Sequence, residues 1–283
     1  MNIVVPSCGK INLTLRVVGR RQDGYHSVVS VFCRLPRIES MSIGTLPPGS
    51  VDREVSCNIR IRGRNIVWKV LELLRARGVP VPPLKIVLTK NVPPGTGLGC
   101  GSGNGAALFR WAQLCYDCPV CPKHLTEVGA DLPFLAGDHD LALISGIGED
   151  VCPMPPLAFS CLLLVPRWRS KTYRAYALLD KYYGSCWALS QTEAETEAYS
   201  VVERLRKNEP VGLLPNDFLP PLSQIHSGYH ELFSGLEASG ALAWGLSGSG
   251  SAVFGLYSQG SFSKEQLLPL HRLNGVERLL VME

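Results

Sequence analysis

The first part of the chain alternates between short hydrophobic runs and polar turns. Residues 3–5, 11–18 and 28–32 are rich in branched side chains, and the run Arg20-Arg21-Gln22-Asp23-Gly24 between the last two has the composition of a hairpin turn. The pattern predicts an antiparallel sheet at the amino end.

Helical spacing appears next. Residues 65–77 place apolar side chains three and four positions apart, and Gly78 with a proline-rich stretch ends the pattern. Residues 84–89 have the composition of a strand, and residues 105–115 return to helical spacing. The order is therefore strand, glycine-rich loop, helix.

Prolines divide the rest of the chain. Cys152-Pro153-Met154-Pro155-Pro156 is the clearest break, because proline lacks an amide donor, and it predicts two domains at residues 1–155 and 156–283. Beyond it we expect alternating strands and helices. The strands are predicted at residues 157–165, 241–246, 252–257 and 276–282, and the helices at 173–180, 193–207, 224–238 and 264–273.

Composition narrows the classes of function. The net charge of +4 is spread along the chain without a basic stripe, so nucleic acid is not an expected partner. The longest apolar run, residues 157–165, is too short to cross a bilayer, and no signal peptide is apparent at the amino end. Ten cysteines in such a chain indicate a reducing compartment, so we expect a cytoplasmic protein whose thiols are free and lie in the core.

A dense glycine loop carries the strongest chemical signal. Its sequence is Pro93-Pro94-Gly95-Thr96-Gly97-Leu98-Gly99-Cys100-Gly101-Ser102-Gly103. Alternating glycines let successive N–H groups turn toward one anion, and the helix that follows adds the positive end of its dipole. Phosphate binding is the favoured interpretation, with Ser102 able to reach a phosphate or its Mg²⁺; tight packing is the alternative.

Two other nucleotide-binding motifs also contain closely spaced glycines. The Walker pattern needs Lys-Ser or Lys-Thr after its second glycine, and no such pair follows here, so that class of P-loop is excluded. Gly101-x-Gly103-x-x-Ala106 matches the loose dinucleotide fingerprint, which leaves a nicotinamide-dependent oxidoreductase as the runner-up. A catalytically silent nucleotide-binding protein is a third possibility.

Five motifs together resemble one family. They are Gly9-Lys10-Ile11-Asn12-Leu13, Asp23-Gly24-Tyr25-His26, the glycine loop, Gly129-Ala130-Asp131-Leu132-Pro133-Phe134 and Ser247-Gly248-Ser249-Gly250-Ser251. In this order they resemble the 4-diphosphocytidyl-2-C-methyl-D-erythritol kinases, members of the GHMP superfamily with galactokinase, homoserine kinase, mevalonate kinase and phosphomevalonate kinase. The resemblance spans nearly the whole chain.

The resemblance implies a fold and an activity. The fold would be α+β with two domains: an amino-terminal mixed or antiparallel sheet with helices, and a ferredoxin-like α/β carboxyl-terminal domain, with the active site in the cleft between them. The enzyme would use ATP and Mg²⁺ to phosphorylate the 2-hydroxyl of its diphosphocytidyl substrate in the non-mevalonate route to isoprenoid precursors. Its partner would be this small molecule, with no nucleic acid or membrane, and the protein would be a monomer or weak homodimer.

The resemblance also implies residue roles. Lys10 and Asp131 would form the catalytic pair; taken alone, a lysine in a strand and an aspartate before Leu-Pro are more often a surface charge and a turn cap. The nucleotide would meet the glycine loop with Asn65, Lys90 and Asn104, and the substrate would meet Asn12, Tyr25, His26 and Thr172. As alternatives, Tyr25 and His26 are a hairpin-edge pair, Asn65 is a helix cap, Lys90 is a solvated strand end and residues 247–251 are a plain turn.

Some positions depart from the family pattern. Cys100, Gly103 and Gly105 stand where the family usually has Gly, Ser and Ala, and the segment Cys33-Arg34-Leu35-Pro36-Arg37-Ile38 lacks an expected acidic residue. Cys115-x-x-Cys118-x-x-Cys121-x-x-His124 has spacing unusual for zinc, so these cysteines are interpreted as core thiols and no residue is assigned to a metal.

Overall fold

Two five-stranded sheets and their helices make up the molecule. The computed structural model describes residues 2–53, 57–59, 64–184, 186–261 and 264–282. Within these ranges the strands are β1 Asn2–Arg20, β2 His26–Thr45, β3 Leu84–Thr89, β4 Leu141–Gly146, β5 Asp150–Met154, β6 Ser160–Pro166, β7 Gly212–Leu213, β8 Ala243–Leu246, β9 Val253–Tyr257 and β10 Val276–Met282. The α-helices are α1 Ile66–Ala76, α2 Cys100–Cys115, α3 Leu132–Ala136, α4 Thr172–Tyr183, α5 Gln191–Arg206, α6 Leu219–Ser223, α7 Gly228–Ala238 and α8 Lys264–His271, and Pro122–Glu127 is a 3₁₀ helix.

The sheets differ in strand order. In the first, the order is β1-β2-β4-β5, and β3 pairs with another part of β2. In the second, the order is β10-β6-β9-β8-β7, with antiparallel pairs except for the short parallel pair of β7 and β8. Helices and largely antiparallel sheets in one chain confirm the predicted α+β class.

The chain forms two compact units, each assembled from several segments. The first unit contains Met1–Lys10, Arg34–Pro94 and Gly99–His139; the second contains Ile11–Cys33, Gly95–Leu98 and Asp140–Glu283. The long strands β1 and β2 therefore each contribute residues to both units. The predicted division at residues 155 and 156 concerns contiguous domains and stays a prediction.

Helix α1 supplies part of the core of the first unit. Its spacing buries one face, and the Asn65 side chain caps its amino end by accepting a hydrogen bond from Val67 N at 3.0 Å. The buried side chains are Val67, Val70, Leu71, Leu73 and Leu74. The predicted amphipathic helix is confirmed.

Strand β6 is an interior strand of the second sheet. Every residue of this strand is buried, because β10 and β9 pair with its two edges and helices cover the sheet. Leu162 and Leu164 pack in an apolar cluster with side chains of α6 and α7, including Leu222, Leu232 and Leu236. The predicted apolar strand is confirmed, although it begins at Ser160 rather than at residue 157.

Several strands and helices differ from the expectations. Strands β4 and β5 were not anticipated, and β5 includes part of the proline-rich break; Pro153 is accommodated because β5 is an edge strand. Helix α2 begins at Cys100 rather than at residue 105. The helix expected at residues 224–238 is α7, which begins four residues later at Gly228, and the short helix α6 before it, which opens on prolines, was not anticipated.

The cysteines do not all lie in the core. None of the ten cysteines, all of which lie in the described ranges, forms a disulfide, but Cys115, Cys121, Cys152 and Cys186 are exposed, so the expectation of uniformly buried thiols is wrong. Their positions explain the exposure. Cys115 ends α2, Cys121 precedes the 3₁₀ helix, Cys152 lies on the edge strand β5, and Cys186 lies in the loop after α4.

Helix length bears on the membrane question. The longest helices in the described ranges, α2 and α5, have 16 residues each. A span requires about 20 apolar residues, and no helix in the described part of the chain is long and apolar enough to cross a bilayer.

Burial of β6 generates a stability prediction. Leu163 is fully buried, whereas Leu213 on β7 is 49% exposed, so the same truncation should have different costs. We expect Leu163→Ala to lower the free energy of unfolding by about 3 kcal/mol and Leu213→Ala by less than about 1 kcal/mol. Urea denaturation of both variants measures this, and equal losses would contradict the assigned core.

Candidate active site

Lys10 and Asp131 form a pair in the first unit. Lys10 lies on β1 with 4% of its surface exposed, and its Nζ is 4.0 Å from Oδ1 of Asp131, which immediately precedes α3. Burial lowers the pKa of Lys10 from its ordinary value, and the Asp131 carboxylate opposes that shift. The structure thus brings the two predicted catalytic residues together, with the carboxylate the more exposed of the two.

Gly99 lets the loop approach this pair closely. Its φ is +64°, and a Cβ there would lie 3.1 Å from Lys10 Cγ and 3.2 Å from Asp131 Oδ2. Any larger residue at this position would be strained and crowded. Gly99 is also the residue that precedes α2, so the pair lies beside the amino end of that helix.

The first turn of α2 supplies amide donors. The first amide with an intrahelical acceptor in this turn is that of Gly103, which donates to Gly99 O at 2.8 Å. Amides before that point have no carbonyl four residues back within the helix, and the dipole adds positive charge there. Such a helix start favours an anion.

Gly103 explains one departure from the family pattern. A Cβ at this position would lie 1.7 Å from the carbonyl oxygen of Cys8, because the backbone of α2 packs directly against the backbone of β1. A serine at this position would therefore collide with β1. The low helix propensity of glycine is offset by this close contact.

In the second unit, Gly95–Leu98 packs against the turn between β8 and β9, residues 247–251. Gly97 has a φ of +77°, and a Cβ there would lie 1.9 Å from Ser247 O. Ser247 Oγ donates to Gly97 O at 3.0 Å, and Ala252 N donates to Thr96 O at 2.9 Å. The turn thus connects β8 to β9, and its backbone also packs directly against this part of the glycine loop.

Two asparagines hold that turn. Asn12 accepts a hydrogen bond from Gly248 N at 2.8 Å and donates to Ser30 Oγ at 2.9 Å. Asn216 donates to Leu246 O at 2.9 Å and to Gly248 O at 3.0 Å. Sequence reasoning selected Asn12 but missed Asn216, which belongs to none of the motifs.

Thr172 lies close to the same turn. Its Oγ1 is 3.4 Å from Ser249 Oγ, the donor, and Thr172 is the first residue of α4. The structure therefore groups Asn12, Thr172 and the turn at residues 247–251 in the second unit.

Tyr25 and His26 have different surroundings. Tyr25 is 62% exposed, whereas His26 is buried and its ring stacks on Tyr176 with centroids 4.7 Å apart. His26 Nε2 is 2.6 Å from Asp180 Oδ1, and Trp187 meets the ring edge-on at 5.7 Å. No sequence signal marked these three neighbours of His26, because α4 and the loop after it are distant in the chain.

Lys90 and Asn104 join a buried cluster in the first unit. Lys90 Nζ is 2.5 Å from Glu39 Oε2, and Asn104 Nδ2 donates to the same oxygen at 2.9 Å. Lys90 is 4% exposed, so the alternative interpretation as a solvated strand end is wrong. Burial raises the pKa of Glu39, while the Lys90 charge opposes that rise. Sequence reasoning missed Glu39, which directly follows the segment expected to contain an acidic residue.

Possible metal ligands do not cluster in the described part of the chain. Within the described ranges no group of three His, Cys, Asp or Glu side chains could hold a metal ion. Cys121 Sγ and His124 Nδ1 are 3.4 Å apart, and both residues are near the start of the 3₁₀ helix.

Comparison with known proteins gives two family matches. The family model for the GHMP kinases N terminal domain matches residues 65–141, and that for the GHMP kinases C terminal domain matches residues 194–266. The chain is 34% identical over 261 residues to the 4-diphosphocytidyl-2-C-methyl-D-erythritol kinase of Porphyromonas gingivalis, covering 87% of this chain and 88% of the relative. It is 31% identical over 242 residues to the chloroplastic kinase of that name from Arabidopsis thaliana, covering 82% and 60%.

Solved structures show the same relationship. A crystal structure of 4-(cytidine 5'-diphospho)-2C-methyl-D-erythritol kinase superposes with a TM-score of 0.77 at 26% identity, covering 100% of this chain and 98% of the other. Homoserine kinase from Cytophaga hutchinsonii superposes with a TM-score of 0.66 at 17% identity, covering 100% and 94%. The second likeness concerns the fold alone.

The chain has a glycine loop that leads into a helix beside a lysine and aspartate pair, and both family models match it. It is therefore a GHMP kinase, and it has the predicted two-domain α+β fold. The two matched regions lie on either side of residues 155 and 156. Within this class the chain belongs to the family of 4-diphosphocytidyl-2-C-methyl-D-erythritol kinases. The dinucleotide fingerprint is a chance match, since residues 101–106 lie inside α2 rather than at a strand-to-helix turn.

Two glycines of the loop generate contrasting predictions. Gly97→Ala should lower the melting temperature, because the added Cβ would collide with Ser247 O, whereas a Cβ at Gly101 has no atom within 4 Å. We expect Gly101→Ala to melt like the wild type but to raise the KM for ATP about 10-fold by obstructing a phosphate. Thermal melting and initial-rate kinetics measure both effects. An unchanged KM for Gly101→Ala would show that no phosphate lies over that turn.

Proposed function

We propose that this kinase transfers the γ-phosphoryl group of ATP to the 2-hydroxyl of 4-diphosphocytidyl-2-C-methyl-D-erythritol, in the non-mevalonate route to isoprenoid precursors. The single observation that carries the proposal is the Lys10 and Asp131 pair against Gly99 at the start of α2. The names of the relatives supply the substrate. The phosphoryl donor follows from the family.

Asp131 is proposed to accept the proton of the 2-hydroxyl. Its carboxylate is the accessible member of the pair, since 28% of its side chain is exposed against 5% for Lys10. Phosphoryl transfer depends mainly on positioning and on charge stabilisation, so the proton can leave late in the reaction. Lys10 would orient the acceptor and balance the negative charge that develops on the transferred group.

The nucleotide is proposed to bind along the glycine loop. The amides of the first turn of α2 would contact the phosphates. Mg²⁺, when bound with ATP, would neutralise phosphate charge, and the Ser102 hydroxyl would contact a phosphate or this ion. Asn65, Lys90 and Asn104 would act at the nucleotide end, with the last two acting through the buried Glu39 cluster.

The diphosphocytidyl substrate is proposed to bind in the second unit through its base. His26 is held by Asp180 and by stacking on Tyr176, which presets its ring for hydrogen bonding to cytosine. The exposed Tyr25 ring would stack on the base. Asn12 and Thr172 would contact other polar groups of the substrate. A cytoplasmic location and a monomeric or weakly dimeric state stay predictions.

The catalytic pair can be tested by ATP-coupled ADP release with this substrate and Mg²⁺. We expect Asp131→Asn and Lys10→Ala each to lower kcat by about 100-fold or more, because each removes a charge at the reacting centre. Asp138→Asn is a matched control, since the Asp138 side chain is 83% exposed and paired with Arg110. Wild-type rates in Asp131→Asn would contradict the assigned base.

Substrate identity is tested in the same assay. Turnover with homoserine, galactose or mevalonate but not with the diphosphocytidyl alcohol would preserve the kinase and overturn the roles of Tyr25 and His26. We expect turnover with the diphosphocytidyl alcohol only. The other three alcohols have no base that could bind to His26 and Tyr25.

The buried Lys10 predicts a pH dependence. Its pKa is lowered from 10.5, so the ammonium loses its proton as the pH rises through a value below 10.5, and kcat/KM should fall on that alkaline limb. Lys10→Arg keeps its charge at high pH, so its residual activity should lack the limb. Rate measurements from pH 7 upward check this. A limb of equal position in both proteins would show that another group titrates.

A further inference from the structure

Arg34 on β2 aims its guanidinium at the segment that follows Asp131. The first residues after Asp131 form α3, a helix of five residues, whose terminal carbonyls lack intrahelical donors. Arg34 donates to four backbone carbonyl oxygens at this point: Phe134 at 2.9 Å, Leu135 at 2.9 Å, Gly137 at 2.8 Å and His139 at 3.0 Å. The guanidinium therefore caps the helix and orders the chain beyond it.

The same guanidinium also reaches the strand of Lys10. Nη1 of Arg34 lies 3.3 Å from Sγ of Cys8, which is two residues before Lys10 on β1. Cys8 Sγ in turn contacts Leu135 O at 3.8 Å. A guanidinium has five N–H donors, and these contacts occupy all of them. The ring of Phe134, 5.2 Å from the guanidinium carbon, adds a cation–π contact.

The catalytic pair needs such external support. The Lys10 and Asp131 atoms are 4.0 Å apart, beyond hydrogen-bond distance, and the Asp131 side chain makes no capping bond to α3. A helix of five residues has little stability of its own. The distance between the two catalytic groups is therefore set by what anchors α3 and β1 to each other.

We propose that Arg34 is a positioning residue, which fixes Asp131 relative to Lys10 for phosphoryl transfer by linking α3 to β1. The inference rests on the proposed role of Asp131 as the base. Small displacements of a catalytic group cost rate rather than binding, so the loss of Arg34 should appear in kcat. Lysine cannot replace it, because an ammonium has three donors and no planar fork.

The test compares Arg34→Lys with Arg110→Lys. Arg110 is the matched control, because it is an exposed arginine on α2 that donates to the same Gly137 oxygen, at 3.1 Å, and to Asp138. We expect Arg34→Lys to lower kcat about 10- to 100-fold with the KM for ATP within about twofold of wild type. Arg110→Lys should leave both values within about twofold.

A second comparison separates positioning from general destabilisation. If Arg34 acts through Asp131, Arg34→Lys should change the residual kcat of Asp131→Asn by less than about twofold. An equal fractional loss in both backgrounds would overturn the inference, as would a wild-type kcat in folded Arg34→Lys. Wild-type activity in Asp131→Asn alone would instead contradict the proposed function.

Thermal melting establishes whether Arg34→Lys is folded at the assay temperature. If it is not, Cys8→Ala decides the matter, because it leaves Arg34 in place and removes the contacts that join the strand of Lys10 to the guanidinium and to Leu135 O. The inference then predicts that kcat falls about threefold or more without a change in the KM for ATP. An unchanged kcat in folded Cys8→Ala would overturn it.

Discussion

A buried ammonium group organises the first unit. Lys10 lies almost wholly out of water, and its charge is tolerated because the Asp131 carboxylate lies 4.0 Å away. The pair fits only because Gly99 leaves no side chain between the loop and the two charged groups. Strand β1, the loop and the start of α3 are thereby constrained together, and α2 begins at the point where they meet.

Close packing against β1 also explains the glycine at position 103 in α2. The first turns of helix α2 can pack on the backbone of β1 only because residue 103 is a glycine. The polar groups that the start of α2 presents beside the Lys10 and Asp131 pair are backbone amides. Beneath them, the buried cluster of Glu39, Lys90 and Asn104 links β2, the end of β3 and α2. The amides at the start of α2 and the Lys10 ammonium therefore lie where we propose that a phosphate binds.

Features could be predicted from the sequence when the residues that determine them lie close together in the chain. The amphipathic α1, the buried β6 and the glycine loop were predictable, because hydrophobic period and glycine spacing are local properties. The edge strand β5 was missed because prolines mark breaks and edge strands alike. Lys10 and Asp131 were found only through a resemblance, since each alone looks like an ordinary surface charge or turn cap. Glu39, Arg34 and Asn216 carried no local signal, because their partners lie far away in the chain.

The position of the transferred phosphate is the most direct test of the proposed reaction. The 2-carbon of methylerythritol bears a methyl group and no hydrogen, so a phosphate on its oxygen has no proton three bonds away. Phosphorus-31 NMR of the product made with ATP should therefore show a new monoester signal without proton splitting, in addition to the diphosphate signals. A monoester signal split by neighbouring protons would place the phosphate on another hydroxyl and contradict the account.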